Sequence, residues 1–426
     1  MILKIIGGAP LIGNIKISGA KNSALPLMAC SLLTNEEFKL TNLPDISDVK
    51  HLANLLESIG SYISFSKCKK SASFVGKNLT HTIDPLLAKT TRASMWVLGP
   101  LLTRFGMAQL PTPGGCPLNR KMDLHVKVLK AMGATVELED DHLIKITAKN
   151  GLFGTKFNFE KRSVGATINA LMAASLAKGE TLLSNCAKEP EIVDLCLTLK
   201  EMGAQIEGIG SSTIEINGST SLKGIEHRVI GDRLEAATYA IATGLTKGNT
   251  TLENIEHDLL SNLYDTFNQI GIKIEKVHQS SLKVSCSEHI KSADIVASPH
   301  PNFPTDLQPV FASLMCTAKG TSKILENVHH SRFSYAKELN NMGANIMVDH
   351  NETTAIVSGV SHLKGSKVKA HDLRSGAAVL VAALAAKGET IITNAEKIYR
   401  GYEGVETKLS NCGAQIQKLE ATVQAL

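Results

Sequence analysis

One phrase recurs six times along the 426 residues: an amphipathic helical stretch that stops at glycine and gives way to a short alternating strand. The copies run from Leu52 to Gly60, Val126 to Gly133, Leu195 to Gly203, Leu263 to Gly271, Ala336 to Gly343 and Val405 to Gly413, and their glycines lie 73, 70, 68, 72 and 70 residues apart. In the first copy Val49, Leu52, Leu55, Leu56 and Ile59 share one helical face. Gly60 stands where a left-handed helix stop needs a residue without Cβ. A second phrase interleaves with the first: an Ala/Leu-rich run, then Lys-Gly-x-Thr or a variant, then alternating residues ending near Asn, marked by Gly179, Gly248, Gly320 and Gly388. Two helices and several short strands per repeat predict helices packed on sheets in every unit, a mixed α/β (α+β) class. The repeat exceeds the roughly 20–50 residues of a solenoid unit, and six copies divide as three plus three. We therefore expect two similar domains with a seam near Gly231, and such seams are where clefts form.

Composition narrows the function classes. Hydrophobic residues make up 43% and charged residues 20%, enough for packed cores and too apolar for a disordered chain. The first residues, Met1-Ile-Leu-Lys-Ile-Ile, read as a strand rather than a signal peptide, and the longest apolar run, Ala377 to Ala386, is about half the ~20 residues that cross a bilayer. Eight cysteines without a C-x-x-C pair suit a reducing cytoplasm better than a disulfide framework or a metal site. The net charge of +5 comes from dispersed basic residues, which argues against nucleic-acid binding but allows a locally positive pocket for an anionic substrate. His329-His330 has no further ligand at metal spacing, so neither a metal nor a cofactor is expected.

Several segments carry residues suited to chemistry. Gly106 to Arg120 holds three prolines and three glycines, and reads as a loop. Within it Cys116, between Gly-Gly and Pro with Arg120 and Lys121 nearby, is either a small buried hydrophobe or a thiol whose acidity is raised by cations. Lys21 and Asn22 open an Ala/Leu-rich helical run, as a solvated helix entrance or as an anion site. Arg92 and Trp96, the latter the sole tryptophan, are i, i+4 neighbours on a predicted helix, where Trp96 packs a core or floors a sugar site. Asp306 ends the irregular His300-Pro-Asn-Phe-Pro-Thr stretch and is expected to cap the following helix, a carboxylate that can also serve as a base. Arg120, Lys161, Arg233, Arg374 and Arg400 recur at loop-to-helix junctions, either as surface charges or as a clasp on one polyanion.

In their order along the chain these segments resemble the enolpyruvyl transferases. The carriers are Lys21-Asn22 in Gly-Ala-Lys-Asn-Ser-Ala-Leu-Pro, Arg92 to Trp96, Pro113-Gly-Gly-Cys116, Arg120 with Asp123-Leu124-His125, Lys161 with Ser163-Val164-Gly165, Glu189-Pro-Glu191, His300 to Asp306, Asp372-Leu-Arg374 and Arg400-Gly-Tyr-Glu403. The resemblance implies a pair of inside-out α/β barrels, each of three β-α-β-α-β-β units, with residues 21–230 as one domain and residues 1–20 and 231–426 as the other. It implies transfer of the enolpyruvyl group of phosphoenolpyruvate to the 3'-hydroxyl of UDP-N-acetylglucosamine by addition and then elimination of phosphate. In its terms Lys21, Arg120 and Arg400 hold the phosphate, while Arg92, Arg332 and Arg374 add charge near the carboxylate or the loop. Asp306 takes the hydroxyl proton; Cys116 protonates the methylene carbon or captures phosphoenolpyruvate, and would be the target of the epoxide fosfomycin. Asp123 and Leu124 meet uracil; Lys161, Ser163, Val164 and Gly165 meet the diphosphate; Asn22 and Trp96 line the sugar; His125, Glu189 and Asp372 complete the substrate-binding set. Domain closure would exclude water, and a cytoplasmic monomer is expected.

The chain departs from the family pattern in a shortened stretch between Cys116 and Asp123, in His330-Ser331-Arg332-Phe333, and in Gly231 before Asp232-Arg233. Two alternatives stand beside this reading: the shikimate-pathway enolpyruvyl transferase, which lacks the Pro-Gly-Gly-Cys loop, and a non-catalytic sugar-nucleotide sensor with the same fold.

Overall fold

A computed structural model describes residues 1–111, 122–139, 143–286 and 289–420. The chain divides into two compact units, one of Gly19–Ile230 and one of Met1–Ser18 with Gly231–Leu426. One module explains both. It is seen unbroken in the strand Lys156–Asn158, helix Val164–Ala174, strand Glu180–Ser184, helix Pro190–Glu201 and strands Gln205–Glu207 and Thr213–Asn217. The first strand pairs parallel to the second, which the intervening helix makes possible as a crossover, and the remaining neighbours pair antiparallel. The same order recurs from Ile295–Ala297 to Thr354–Ser358 in the other unit.

Three of the other modules are completed by strands from distant parts of the chain. Glu226–Arg228 pairs parallel with Phe38–Thr41, and Ile12–Lys16 with Asn249–Glu253. Ile2–Ile6 lies between Glu389–Thr393 and Gln415–Leu419, antiparallel to both. The N-terminal segment, read from sequence as one strand, is thus two strands in two different sheets. A further sheet has three strands, with a lone parallel bridge from Thr82 to Gln109 where the fourth would be. Its strand Met107–Pro111 corrects the expectation of a loop from Gly106 onward. Ala108 and Leu110 alternate inward, and Pro111 falls at the strand's last position, where a missing donor costs the ladder least.

The two phrases of the sequence are two kinds of helix. In Gly231–Leu426, the Ala/Leu-rich helices Arg233–Leu245, Gln308–Met315 and Leu373–Ala385 pack on one another and are buried on every face. A helix apolar all round has no other place to go. The helices of the glycine-stopped phrase bury one face against their sheets, and each turns at a glycine with φ between +87 and +110°: Gly60, Gly133, Gly203, Gly271, Gly343 and Gly413. The strand ending near Asn also has a physical purpose. Asn42, Asn185 and Asn254 adopt left-handed backbone, and their amides donate to the carbonyls of Val229, Phe159 and Ile17, just past the parallel first strand of their module. Two of these stitched strands arrive from the far side of a chain crossing.

Among the described residues no helix is long and apolar enough to cross a membrane. Gly203 has φ +110° and nothing within 4 Å of a built Cβ, so Gly203→Ala meets backbone strain alone. Its unfolding free energy should fall by about 1–2 kcal/mol, read by denaturant titration.

Candidate active site

Within each unit, many of the sequence-predicted residues stand at helix starts, Lys21, Asn22, Asp123, Ser163 and Glu189 in one and Asp372 and Arg374 in the other, where backbone N–H groups lack intrahelical partners. In Gly231–Leu426 the centre of the cluster is Asp306. Its Oδ1 accepts from Arg332 Nη1 at 2.7 Å and its Oδ2 from Arg374 Nη2 at 2.7 Å. This corrects the capping expectation: the helix Gln308–Met315 begins after Leu307 and takes no side-chain cap. Two guanidinium groups recruit the carboxylate more strongly than a helix end does, because each bond is charge-assisted.

The arginines are themselves fixed. Arg332 also donates to Thr305 Oγ1 at 2.8 Å, and that hydroxyl donates to Glu326 Oε2 at 2.8 Å. Glu326 is fully buried, and its other oxygen accepts from the Val328 and His329 backbones. Arg374 sits in the first turn of the helix Leu373–Ala385, which Asp372 opens with a capping box, accepting from the Arg374 and Ser375 N–H groups. Asp372 therefore works on the backbone and on Ser334, whose hydroxyl it accepts at 3.1 Å. Burial opposes the charge on Arg374, but Asp306, Tyr402 and Asp232 outweigh it and hold the guanidinium above its ordinary pKa. Arg374 and Arg233 are buried rather than superficial.

Arg400 ends the 3-10 turn Ala395–Arg400. The next residues anchor it: a Cβ on Gly401 would lie 2.8 Å from Leu373, and the buried Tyr402 hydroxyl meets Thr238 Oγ1 at 2.8 Å. Sequence reasoning missed the network beneath. Glu235 is buried and bonded to Lys408 at 2.6 Å and to the Ser18 N–H at 2.6 Å, while Ser18 Oγ donates to Glu403. Burial pushes the Glu235 carboxyl up against the pull of Lys408.

In Gly19–Ile230, Lys21 and Asn22 open the helix Lys21–Cys30, and Lys21 Nζ is paired with the buried Asp48 at 2.6 Å. Ser23 bonds Asp194, which also accepts from His227 Nε2 at 2.8 Å. That helix touches the turn carrying Arg92 and Trp96, which is a 3-10 turn, Arg92–Val97, in place of the predicted α-helix. Asp123 and Leu124 open the helix Asp123–Ala131, with Asp123 exposed and Leu124 buried. His125 follows, 4% exposed. Burial, then the Arg92 charge, push its pKa down to about 3 against Asp123, so the ring is neutral at physiological pH. Ser163 caps the helix Val164–Ala174 by accepting from the Ala166 N–H, Val164 and Gly165 form its first turn, and Lys161 lies exposed before it. Glu189 precedes the helix Pro190–Glu201. A Cβ on Gly165 would stand 3.1 Å from His125 Nε2 and 3.6 Å from Trp96 Nε1. Arg92, Trp96, Asp123, His125 and Gly165 thus form one neighbourhood. Cys116 and Arg120 lie outside the described residues.

A carboxylate held between two arginines in one unit, and in the other an anion-ready helix start and an indole, are features of enzymes that handle several negative charges. The chain belongs to the EPSP synthase (3-phosphoshikimate 1-carboxyvinyltransferase) family, whose sequence model matches residues 5–409. Within that family it is similar to proteins named UDP-N-acetylglucosamine 1-carboxyvinyltransferase. That of Rickettsia akari (strain Hartford) is 44% identical over 421 residues, covering 98% of this chain and 99% of the relative. That of Rickettsia bellii (strain OSU 85-389) is 45% identical over 421 residues with the same coverage. Among solved structures, the enolpyruvyl transferase NikO from Streptomyces tendae matches with a TM-score of 0.89 at 25% identity over 98% of each chain. EPSP synthase from Acinetobacter baumannii matches at 0.76 and 17% identity, covering 99% of this chain and 100% of that one, a likeness of fold. The architecture is the two-unit α/β fold of these enzymes.

The crowding at Gly165 has a measurable consequence. Gly165→Ala places a methyl group against a buried histidine and the sole tryptophan, while alanine favours the helix by about 1 kcal/mol. The crowding against a buried ring outweighs that gain, so the expected outcome is a lowered thermal midpoint together with altered Trp96 fluorescence; an unaltered spectrum would remove Trp96 from this neighbourhood.

Proposed function

We propose that the chain transfers the enolpyruvyl group of phosphoenolpyruvate to the 3'-hydroxyl of UDP-N-acetylglucosamine, releasing phosphate, as the first committed step of peptidoglycan synthesis. One observation carries this reading: identity near 44% to enzymes of that name runs almost from end to end of the chain. The same family includes the shikimate-pathway enzyme, yet the solved examples from Acinetobacter baumannii share 16–17% identity with this chain, against 44% for the sugar-nucleotide enzymes, which favours UDP-N-acetylglucosamine over shikimate 3-phosphate.

The chemistry asks for groups this chain has. Two polyanionic substrates must leave water, and the free energy of stripping charge is offset only by opposite charge held in place. In this reading Lys21, Arg120 and Arg400 hold the phosphate of phosphoenolpyruvate, and Arg92, Arg332 and Arg374 surround its carboxylate. Lys21 enters the reaction already oriented by Asp48. Asp306 is engaged by two arginines. The carboxylate of phosphoenolpyruvate competes for the same N–H groups, and an arginine drawn to it leaves an oxygen of Asp306 open to the sugar hydroxyl.

The sugar oxygen then bonds to C2 of phosphoenolpyruvate as its proton passes to Asp306, and C3 takes a proton from Cys116. In the second half C3 returns a proton to the Cys116 thiolate, the C2–O bond to phosphate breaks with the phosphate taking the proton held by Asp306, and the enol ether forms. Atoms balance as one alcohol and one phosphoenolpyruvate giving one enolpyruvyl ether and one phosphate. Trp96, Asn22, Asp123, Leu124, Lys161 and the turn Ser163–Gly165 hold the sugar nucleotide. The cysteines of the described residues form no disulfide, which fits a reducing compartment, and we place the reaction in the cytoplasm.

Phosphate release from phosphoenolpyruvate should depend on UDP-N-acetylglucosamine and be absent with shikimate 3-phosphate; the reverse dependence would overturn the acceptor, and binding without release would make the chain a sensor. Asp306→Asn should lower kcat by about 100-fold or more while UDP-N-acetylglucosamine still binds, measured by calorimetry beside the rate. Fosfomycin should add one adduct mass to the wild type and none to Cys116→Ser; equal adducts on both would exclude that thiol.

A further inference from the structure

Asn169 lies in the middle of the helix Val164–Ala174, fully buried, and is not among the residues read as substrate contacts. A buried amide in such a place must spend its hydrogen bonds on something. Its Oδ1 accepts from the Gly99 N–H at 2.9 Å, and its Nδ2 donates to the Met95 carbonyl at 2.9 Å. Those two partners are unequivocal, one a donor and the other an acceptor, so the amide can be oriented only one way. The second proton of Nδ2 then points at His125 Nδ1, 3.0 Å distant. A nitrogen facing an N–H donor must offer its lone pair, which leaves the ring proton on Nε2.

We infer that Asn169 is a positioning residue that locks His125 in the Nε2–H tautomer, so that a neutral imidazole donates to an oxygen of the sugar nucleotide's diphosphate beside the first turn of Val164–Ala174. The direction of that donor is given by Gly165, whose missing Cβ would lie 3.1 Å from Nε2. The Trp96 indole N–H faces the same space, 3.6 Å from that point. The charged groups acting on the ring are Arg92, which disfavours an imidazolium, and Asp123, which favours one. The helix Val164–Ala174 contributes only the neutral amide. The donor thus presents an N–H without a titrating charge, so a site that must hold and release a polyanion keeps the same hydrogen bond across neutral pH.

The inference rests on the sugar-nucleotide reading for its ligand, but the tautomer is measured without one. Long-range proton–nitrogen spectra of the full chain labelled with 15N-histidine, with the His125 peaks assigned by their loss in His125→Gln, should show an unprotonated Nδ1 and a protonated Nε2 from pH 6 to 8. A protonated Nδ1 or an imidazolium in the wild type would overturn the proposal. Asn169→Asp supplies only acceptors, and should move the proton to Nδ1 or charge the ring. Above the ring's new pKa, where Nε2 carries a lone pair, its KM for UDP-N-acetylglucosamine should rise by about 10-fold. A ring in Asn169→Asp that keeps the wild-type pattern would equally defeat the assignment. If that variant does not fold, the wild-type spectrum decides alone. A correct tautomer with no phosphate release leaves Asn169 in its role and removes only the catalytic reading.

Discussion

A carboxylate withdrawn from water has to recover its hydrogen bonds from the protein, and Asp306 recovers them from two guanidinium groups, 26 and 68 residues further along the chain. Three segments are tied at one point by that requirement. Breaking one partner of a fully buried pair costs about 3–5 kcal/mol, a figure to be discounted here because the Asp306 side chain keeps 22% of its exposure. The pairs Lys21 with Asp48 and Lys408 with Glu235 obey the same rule at other helix ends. Helices apolar enough to be buried all round place these charges where water reaches them only in part, so each charge is held in one orientation by another.

The repeated module is what makes such an arrangement available. Each copy sends a buried helix back from its parallel first strand, and within a unit the copies deliver their helix starts to a common region. The asparagines at the ends of the central strands add the stitching that a short parallel edge strand needs, since three to five residues of ladder are a weak hold. Arg374, Asp372 and Asp306 are thus brought within reach by repetition of architecture, and only their identities by local sequence.

The fold class, the six glycine stops and the two kinds of helix were legible because each rests on periodicity and on backbone conformation, both local properties. The membership of Ile2–Ile6 in the last sheet was not, because strand pairing across the whole chain leaves no mark in the residues themselves. The candidate site was legible as a set of residue types at helix entrances. Its wiring was less so. Asp306 reads as a cap because a carboxylate before a helical run has that role by default, and only tertiary structure brings Arg332 and Arg374 to compete for it. Asp48, Glu235, Lys408 and Asn169 carried no signal beyond being polar residues at positions where a helix pattern expects apolar ones, which is the trace that could have found them. The strand Met107–Pro111 was hidden by the run of prolines and glycines directly after it in the chain.

The placement of Ile2–Ile6 between Glu389–Thr393 and Gln415–Leu419 sets an order of events during synthesis. Ile2–Ile6 has no sheet partner until about 380–410 further residues have been made, a wait of roughly 20–80 s at ordinary translation speeds. Gly19–Ile230 has all its own strands long before that and can finish first. Ile2–Ile6 therefore passes through most of translation as an unpaired β edge, and a chaperone that shelters it would act earlier on this chain than the position of its final sheet suggests.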